Sequence, residues 1–213
     1  NDEMMKGFGA FLLHKSGFGK EPLTGAVGLV LEDLFQMADW QETAPVEPLV
    51  PAFYFPDMQI AIARSKNGSN DGFYLAAKGG SNGEGHNHND VGSCIVFFDG
   101  KPVLIDVGVG TYTKETFTAN RYKIWTMQST YHNVPLINGI PQSPGGRYKA
   151  SHSKYKYSNS KISFVTDIAG AYPEEANVQK WERNYVLERN KGIKIPDNFL
   201  LNENRGETEL HFM

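Results

Sequence analysis

One cysteine, Cys94, is all the thiol in 213 residues. No internal disulfide can staple the chain, so stability has to come from a packed core. Cys94 itself lies in the apolar run Ser93-Cys94-Ile95-Val96-Phe97-Phe98, where a small buried residue is the expected use. Charge of one sign is also scarce. A formal charge of −3, with no stripe of Lys and Arg, gives no electrostatic basis for binding nucleic acid. A local basic cleft would still suffice for a polyanionic substrate. No apolar run approaches the ~20 residues of a membrane-spanning helix, and the N-terminus has no signal-peptide layout. The chain has no internal repeat, no Gly-rich phosphate loop, no G-x-S-x-G elbow and no Cys-His nucleophile signature. P-loop nucleotide chemistry and the common acyl-transfer designs are thereby removed.

What is present divides at a cluster of prolines. Before it, Val27, Val30, Leu31, Leu34, Phe35 and Ala38 recur at three- and four-residue steps and predict an amphipathic helix. Asp2 is placed to cap a shorter helix carrying Met5, Phe8, Phe11 and Leu12, broken by Gly17-Phe18-Gly19. Pro45, Pro48 and Pro51 then favour an extended connector. A boundary is expected there, with a helical segment over residues 1–44 and a second domain over 45–213. Asn1 is not an initiator and Met213 ends the chain inside what reads as a strand, so the sequence is expected to be a piece of a longer one.

The second domain reads as β. Met58, Ile60 and Ile62 alternate with Gln59, Ala61 and Ala63, and Asn67–Gly72 is a turn before Phe73-Tyr74-Leu75. Asp99-Gly100-Lys101-Pro102 joins Ile95–Phe98 to Val103–Ile105 as a hairpin, and Asn138-Gly139 repeats that signal between 134–137 and 140–142. Further strands are expected over 161–168, 181–187, 193–195 and 209–212, while the polar stretch 151–160 reads as a mobile surface segment. Many short strands with regular turns predict an antiparallel sandwich or barrel.

The chemistry concentrates in Gly83-Glu84-Gly85-His86-Asn87-His88-Asn89-Asp90, which holds two of the chain's six histidines. Imidazoles at i and i+2 face one point if the backbone there is extended. Asp106, closing the apolar run Val103-Leu104-Ile105, and His132 are candidates to join them. An acid ending such a strand is costly unless paired, capped or metal-bound, and zinc takes imidazole and carboxylate ligands from separate strands. A turn-forming Asp106 and surface histidines are the plain alternative. Asn87, Asn89 and Asn133 flank these positions and are suited to orienting a carboxylate or a sugar hydroxyl, or simply to forming turns. Tyr112, Arg121, Tyr122 and Trp125 lie in the long connection between Asp106 and His132, where binding surfaces and sugar-stacking rings are found.

These strings, together with Phe98-Asp-Gly-Lys-Pro-Val-Leu-Ile-Asp106-Val-Gly, Tyr131-His132-Asn133-Val134, and Asn138-Gly139 with Gln142, resemble the heparinase II/III-like polysaccharide lyases over roughly Ala52 to Met213. The resemblance implies an antiparallel β-sandwich that follows an N-terminal (α/α) toroid, of which only a helical tail would be present here. It implies that His88, Asp106 and His132 bind a structural Zn²⁺ and that His86 is catalytic and faces the substrate. Asn87, Tyr112, Arg121 and Gln142 are the expected substrate contacts. The implied substrate is an acidic polysaccharide, cleaved by β-elimination at a periplasmic or extracellular site in a bacterium. The family's catalytic tyrosine belongs to the toroid, so this chain alone is expected to be inactive.

Two other readings compete. His88-x-Asp90 with His132 is the two-histidine, one-carboxylate arrangement of a mononuclear iron oxygenase, and it recruits Asp90 in place of Asp106. A non-catalytic sugar-binding sandwich with a structural ion is the third.

Overall fold

Alternation of small and large side chains shapes the second part of the chain. The structure, a computed structural model, describes residues 2–16 and 40–213. It divides into two units, Asn1–Leu49 and Val50–Met213. In the first, helix α1 spans Asp2–Ser16. Its buried positions are Gly7 and Ala10, while Met5 and Leu12 stand exposed. A side chain at Gly9 would begin 2.8 Å from Trp40, so glycine there lets the indole close on the helix. The helix expected around Val27–Ala38 and the Gly17-Phe18-Gly19 break lie outside the described residues. Residues 44–50, with their prolines, belong to no helix or strand.

The second unit carries β1 Ala52–Phe55, β2 Ile60–Arg64, β3 Phe73–Lys78, β4 Cys94–Phe98, β5 Lys101–Leu104, β6 Pro135–Leu136, β7 Ser151–Tyr157, β8 Lys161–Asp167, β9 Val178–Glu188, β10 Gly192–Lys194, β11 Asp197–Leu201 and β12 Glu209–Leu210. The first five form an antiparallel meander in sequence order. β10-β9-β8-β7 form a second sheet, with β11 also on β9, and β6 pairs with β12. Asp99 and Gly100 both have positive φ (47° and 72°), the two-residue turn that suits a right-twisted hairpin. β5 therefore begins at Lys101, two residues earlier than the apolar run suggested.

Register explains the core. Ala52, Ala63, Leu75, Val96 and Leu104 lie in one cross-strand row of the first sheet, and Tyr54, Ala61, Ala77 and Cys94 in the next. Facing them from the second sheet are Ile162, Phe164, Tyr185 and Leu187. The small residues of one sheet receive the large ones of the other, giving an antiparallel β-sandwich. Each fully buried Leu, Ile or Phe contributes ~1.5–3 kcal/mol. Burial pushes the Cys94 thiol up to about 11, in keeping with a packing role. A second cluster, including Val91, Ile137, Ile168 and the β9 residue Trp181, forms a separate apolar core.

Residues 151–157, expected as a mobile segment, form the edge strand β7. Tyr155 turns inward and stacks on Tyr54 with centroids 5.0 Å apart. The neighbouring lysines point away and guard the edge. At Asn138-Gly139 the turn is present, with φ of 53° and 76°, yet its second arm is no strand: Ile137 and Ile140 share a single bridge. The Asn138 amide instead donates to the Ala176 and Glu203 carbonyls.

Arg183 is buried with Asp197 in a two-pronged ion pair, 2.8 Å at Nε and at Nη2, and donates from Nη1 to the Asn133 carbonyl at 2.7 Å. Burial works against its charge, but Asp197 holds the guanidinium above its ordinary range. Asp197→Ala leaves that cation unpaired and is expected to cost about 3–5 kcal/mol. The urea midpoint should fall with an unchanged slope, and an unshifted midpoint would refute the assignment.

Candidate metal centre and its flanking histidine

Two loops meet at one end of the first sheet. One joins β3 to β4 and carries His86 and His88; the other leaves β5 at Asp106 and returns through His132 to β6. The first is held by Lys78, whose ammonium lies 2.9 Å from Asp90 and 3.6 Å from Glu84. Burial opposes the Lys78 charge, and the two acids more than offset it, raising its pKa. Asn89 N–H donates to the Met127 carbonyl at 3.0 Å, joining this loop to the second. The second loop descends through four 3-10 turns, Glu115–Phe117, Arg121–Lys123, Trp125–Met127 and Ser129–Tyr131. Asn133 rivets its end by donating to the Cys94 and Ile105 carbonyls at 2.8 Å each.

His88, Asp106 and His132 each offer a ligand atom, all within 4.8 Å of one another. The two imidazole centroids are 5.1 Å apart. His132 Nδ1 lies 2.7 Å from Asp106 Oδ2, and its Nε2 lies 3.1 Å from the Thr126 carbonyl. A carbonyl only accepts, so Nε2 carries a hydrogen, and the 2.7 Å between Nδ1 and the Asp106 carboxylate calls for a proton or a cation between them. Asp106 Oδ1 takes the Gly108 N–H at 2.9 Å. Burial opposes the Asp106 charge, but His132, Gly108 and His88 outweigh it and hold the carboxyl below its ordinary range. Burial, and then the neighbouring His132, keep His88 below the usual histidine value, which favours the neutral ring a metal needs.

This donor set suits a divalent cation such as zinc: two imidazoles, one carboxylate, and a ligand histidine whose far N–H is fixed by a backbone carbonyl. Asp90, the carboxylate of the oxygenase reading, is paired with Lys78 instead. Among the described residues Asp106, not Asp90, completes the group.

His86 is placed differently. Its φ is +56°, so the stretch is a turn rather than a strand and the two imidazoles do not face one point. His88 points inward; His86 is exposed, with its ring 6.3 Å from Tyr112 and 6.4 Å from Phe117. Three of the four expected sugar contacts have other work. Arg121 is buried and donates to the carbonyls of His86, Asn87 and Thr116. Asn87 donates to the His88 carbonyl and accepts from the Tyr122 hydroxyl. Gln142 is buried and grips the Val91 N–H and carbonyl and the Asn82 amide. Only Tyr112 presents its ring to solvent.

Arg121→Met is expected to orphan those carbonyls at a cost of about 2–5 kcal/mol. Amide exchange at residues 86–88 should accelerate in the native state; unchanged exchange would show that Arg121 does not hold the turn. Thr126 and Phe117 were not singled out from the sequence. Thr126 acts through its carbonyl, which residue type does not reveal. Phe117 had a weak signal as an isolated aromatic in a polar loop.

A family model described as heparinase II/III-like, C-terminal, matches residues 47–212. No curated protein matches the sequence. Among solved structures, the heparan sulfate lyase HepC from Pedobacter heparinus is similar at 15% identity and a TM-score of 0.62, covering 94% of this chain and 28% of that one. A heparinase III gene product is similar at 18% identity and a TM-score of 0.58, covering 82% and 26%. A further heparinase III is similar at 16% and 0.58, covering 76% and 24%. At these identities the likeness is one of fold, and the chain spans about a quarter of the length of those proteins. Among the described residues no helix is long and apolar enough to cross a membrane.

Proposed function

The chain belongs to the heparinase II/III-like C-terminal family, and from that premise we propose that it is the sandwich portion of a polysaccharide lyase. The lyase cleaves uronic-acid-containing glycans, of the glycosaminoglycan or alginate type, by β-elimination. One observation carries the reading: two buried histidines, His88 and His132, converge with the exposed Asp106 carboxylate at the sheet end, with a histidine two positions from His88 turned out to solvent. Residues 45–213 form the sandwich domain, and residues 1–44 are the tail of a helical toroid that supplies the rest of the cleft. The location is the periplasm or the exterior of a polysaccharide-degrading bacterium.

The chemistry follows from the substrate. A uronate carries a proton on the carbon beside its carboxylate, with the glycosidic oxygen one carbon further on. Removing that proton builds charge on a group already anionic, so a base and a stabilising donor must converge there. We assign the base to His86, whose exposed imidazole stands beside Tyr112 and Phe117. His88, Asp106 and His132 hold Zn²⁺, whose contribution is to fix the loop rather than to act on the sugar. Arg121 sets the His86 carbonyl, and Asn87 and Gln142 hold the adjoining backbone. With the Arg121 donors spent, the group neutralising the uronate carboxylate comes from the toroid, as does the tyrosine that protonates the leaving oxygen. No water attacks, and the product is an unsaturated sugar.

The test is a screen of the full-length parent against heparan sulfate, hyaluronan, chondroitin and alginate, reading absorbance of the unsaturated product. A rise on at least one polymer is expected. Silence on all of them would favour a sugar-binding sandwich without catalysis.

A further inference from the structure

Four aromatic side chains of the loop between Asp106 and His132 are exposed: Tyr112, Phe117, Trp125 and Tyr131. Two of them gather at His86. Tyr112 and Phe117 have centroids 5.6 Å apart, and each ring lies within 6.4 Å of the imidazole. Phe117 is 69% exposed, the most of any large hydrophobic side chain among the described residues.

The backbone beneath it is firmly held. Thr116 is buried, its hydroxyl accepts the Thr113 N–H at 2.9 Å, and its carbonyl accepts from Arg121 at 3.0 Å. On the other side, the N–H and hydroxyl of Thr118 both donate to the Glu115 carbonyl at 3.0 Å. The loop is therefore anchored on each side of a ring that it fails to bury, giving up the gain that burial brings. An apolar ring fixed at the surface, edge-on to a histidine and beside a phenol, has the form of a stacking platform. The CH faces of pyranose rings are its natural occupant, and the exposed Lys114 offers a cation to acidic sugar substituents, while the Glu115 carboxylate is held by the Thr113 hydroxyl at 2.8 Å.

We propose that Phe117 and Tyr112 form a sugar-stacking subsite continuous with His86, which binds the pyranose next to the one His86 faces. This assignment rests on the lyase reading for its ligand class. Phe117 is a binding and specificity residue, and it touches no proton in transit.

The experiment titrates this chain with hexasaccharides of heparan sulfate, hyaluronan, chondroitin and alginate, following tryptophan fluorescence and calorimetric heat. Wild type should bind at least one of them. Phe117→Ala and Tyr112→Ala should each weaken that binding about 10-fold, and Phe117→Trp should restore it. Phe53→Ala, at an exposed ring on β1, should leave binding unchanged. The thermal midpoint and zinc content of the Phe117 variants should match wild type. In the full-length parent, Phe117→Ala should raise KM about 10-fold with kcat nearly unchanged. Wild-type affinity in Phe117→Ala, an equal loss in Phe53→Ala, or no binding of any of the four hexasaccharides by wild type would each overturn the subsite. The lyase reading fails separately: a parent that binds through Phe117 yet eliminates nothing keeps the platform and loses the reaction.

Discussion

His86→Ala in the full-length parent is expected to slow formation of the unsaturated product by about 10²–10⁴-fold, the usual contribution of a positioned acid–base group. Bound zinc should be retained, because the His86 ring stands with Tyr112 and Phe117 and outside the group formed by His88, Asp106 and His132. Two readings are needed together, product absorbance and elemental analysis. Lost turnover with full metal content assigns His86 to the chemistry. Normal turnover removes it, and lost metal would mean that the substitution had disturbed its neighbour.

The complementary change is His88→Ala. It should empty the zinc site and lower the thermal midpoint. Loss of an ion bound 100- to 1,000-fold above its dissociation constant costs about 3–4 kcal/mol, or roughly 5–15 °C in a domain of this size. Asp90→Asn serves as the control. Its carboxylate is occupied by Lys78, so zinc content should hold, whereas an iron centre using Asp90 would lose its metal. Unchanged zinc in His88→Ala would end the ligand assignment.

The sequence made the first sheet largely legible because its turns are chemically local. Asn67–Gly72 and Asp99-Gly100 announce reversals, residues 58–63 alternate with period two, and the short apolar runs at 73–75 and 95–98 are bounded by those turns. β7 is hard to read from sequence because its inward positions, Ser153 and Tyr155, are themselves polar and alternate with Lys154 and Lys156, so average polarity conceals the pattern. β6 was located, but its partner β12 lies some seventy residues on, and no local pattern encodes a pairing that distant.

The site divides in the same way. Residue type and spacing named His88, Asp106 and His132 as candidates; their joint use came from the family resemblance, since spacing alone left Asp90 equally eligible. The lysine that claims Asp90 sits twelve positions earlier, at the end of β3. Arg121, Asn87 and Gln142 carry the donors a sugar site wants, and only the folded chain reveals that their own backbone has already taken them.

The left-handed backbone at His86 has one last consequence. A side chain there strains its own main chain by about 1–2 kcal/mol, and glycine would relieve it at once. A polypeptide judged on thermostability alone would do better to leave that corner bare, so a glycine variant should outlast the native protein on heating, and under the proposed chemistry the same change in the full-length parent should lose turnover. If His86 is the base, durability and usefulness pull in opposite directions at this corner.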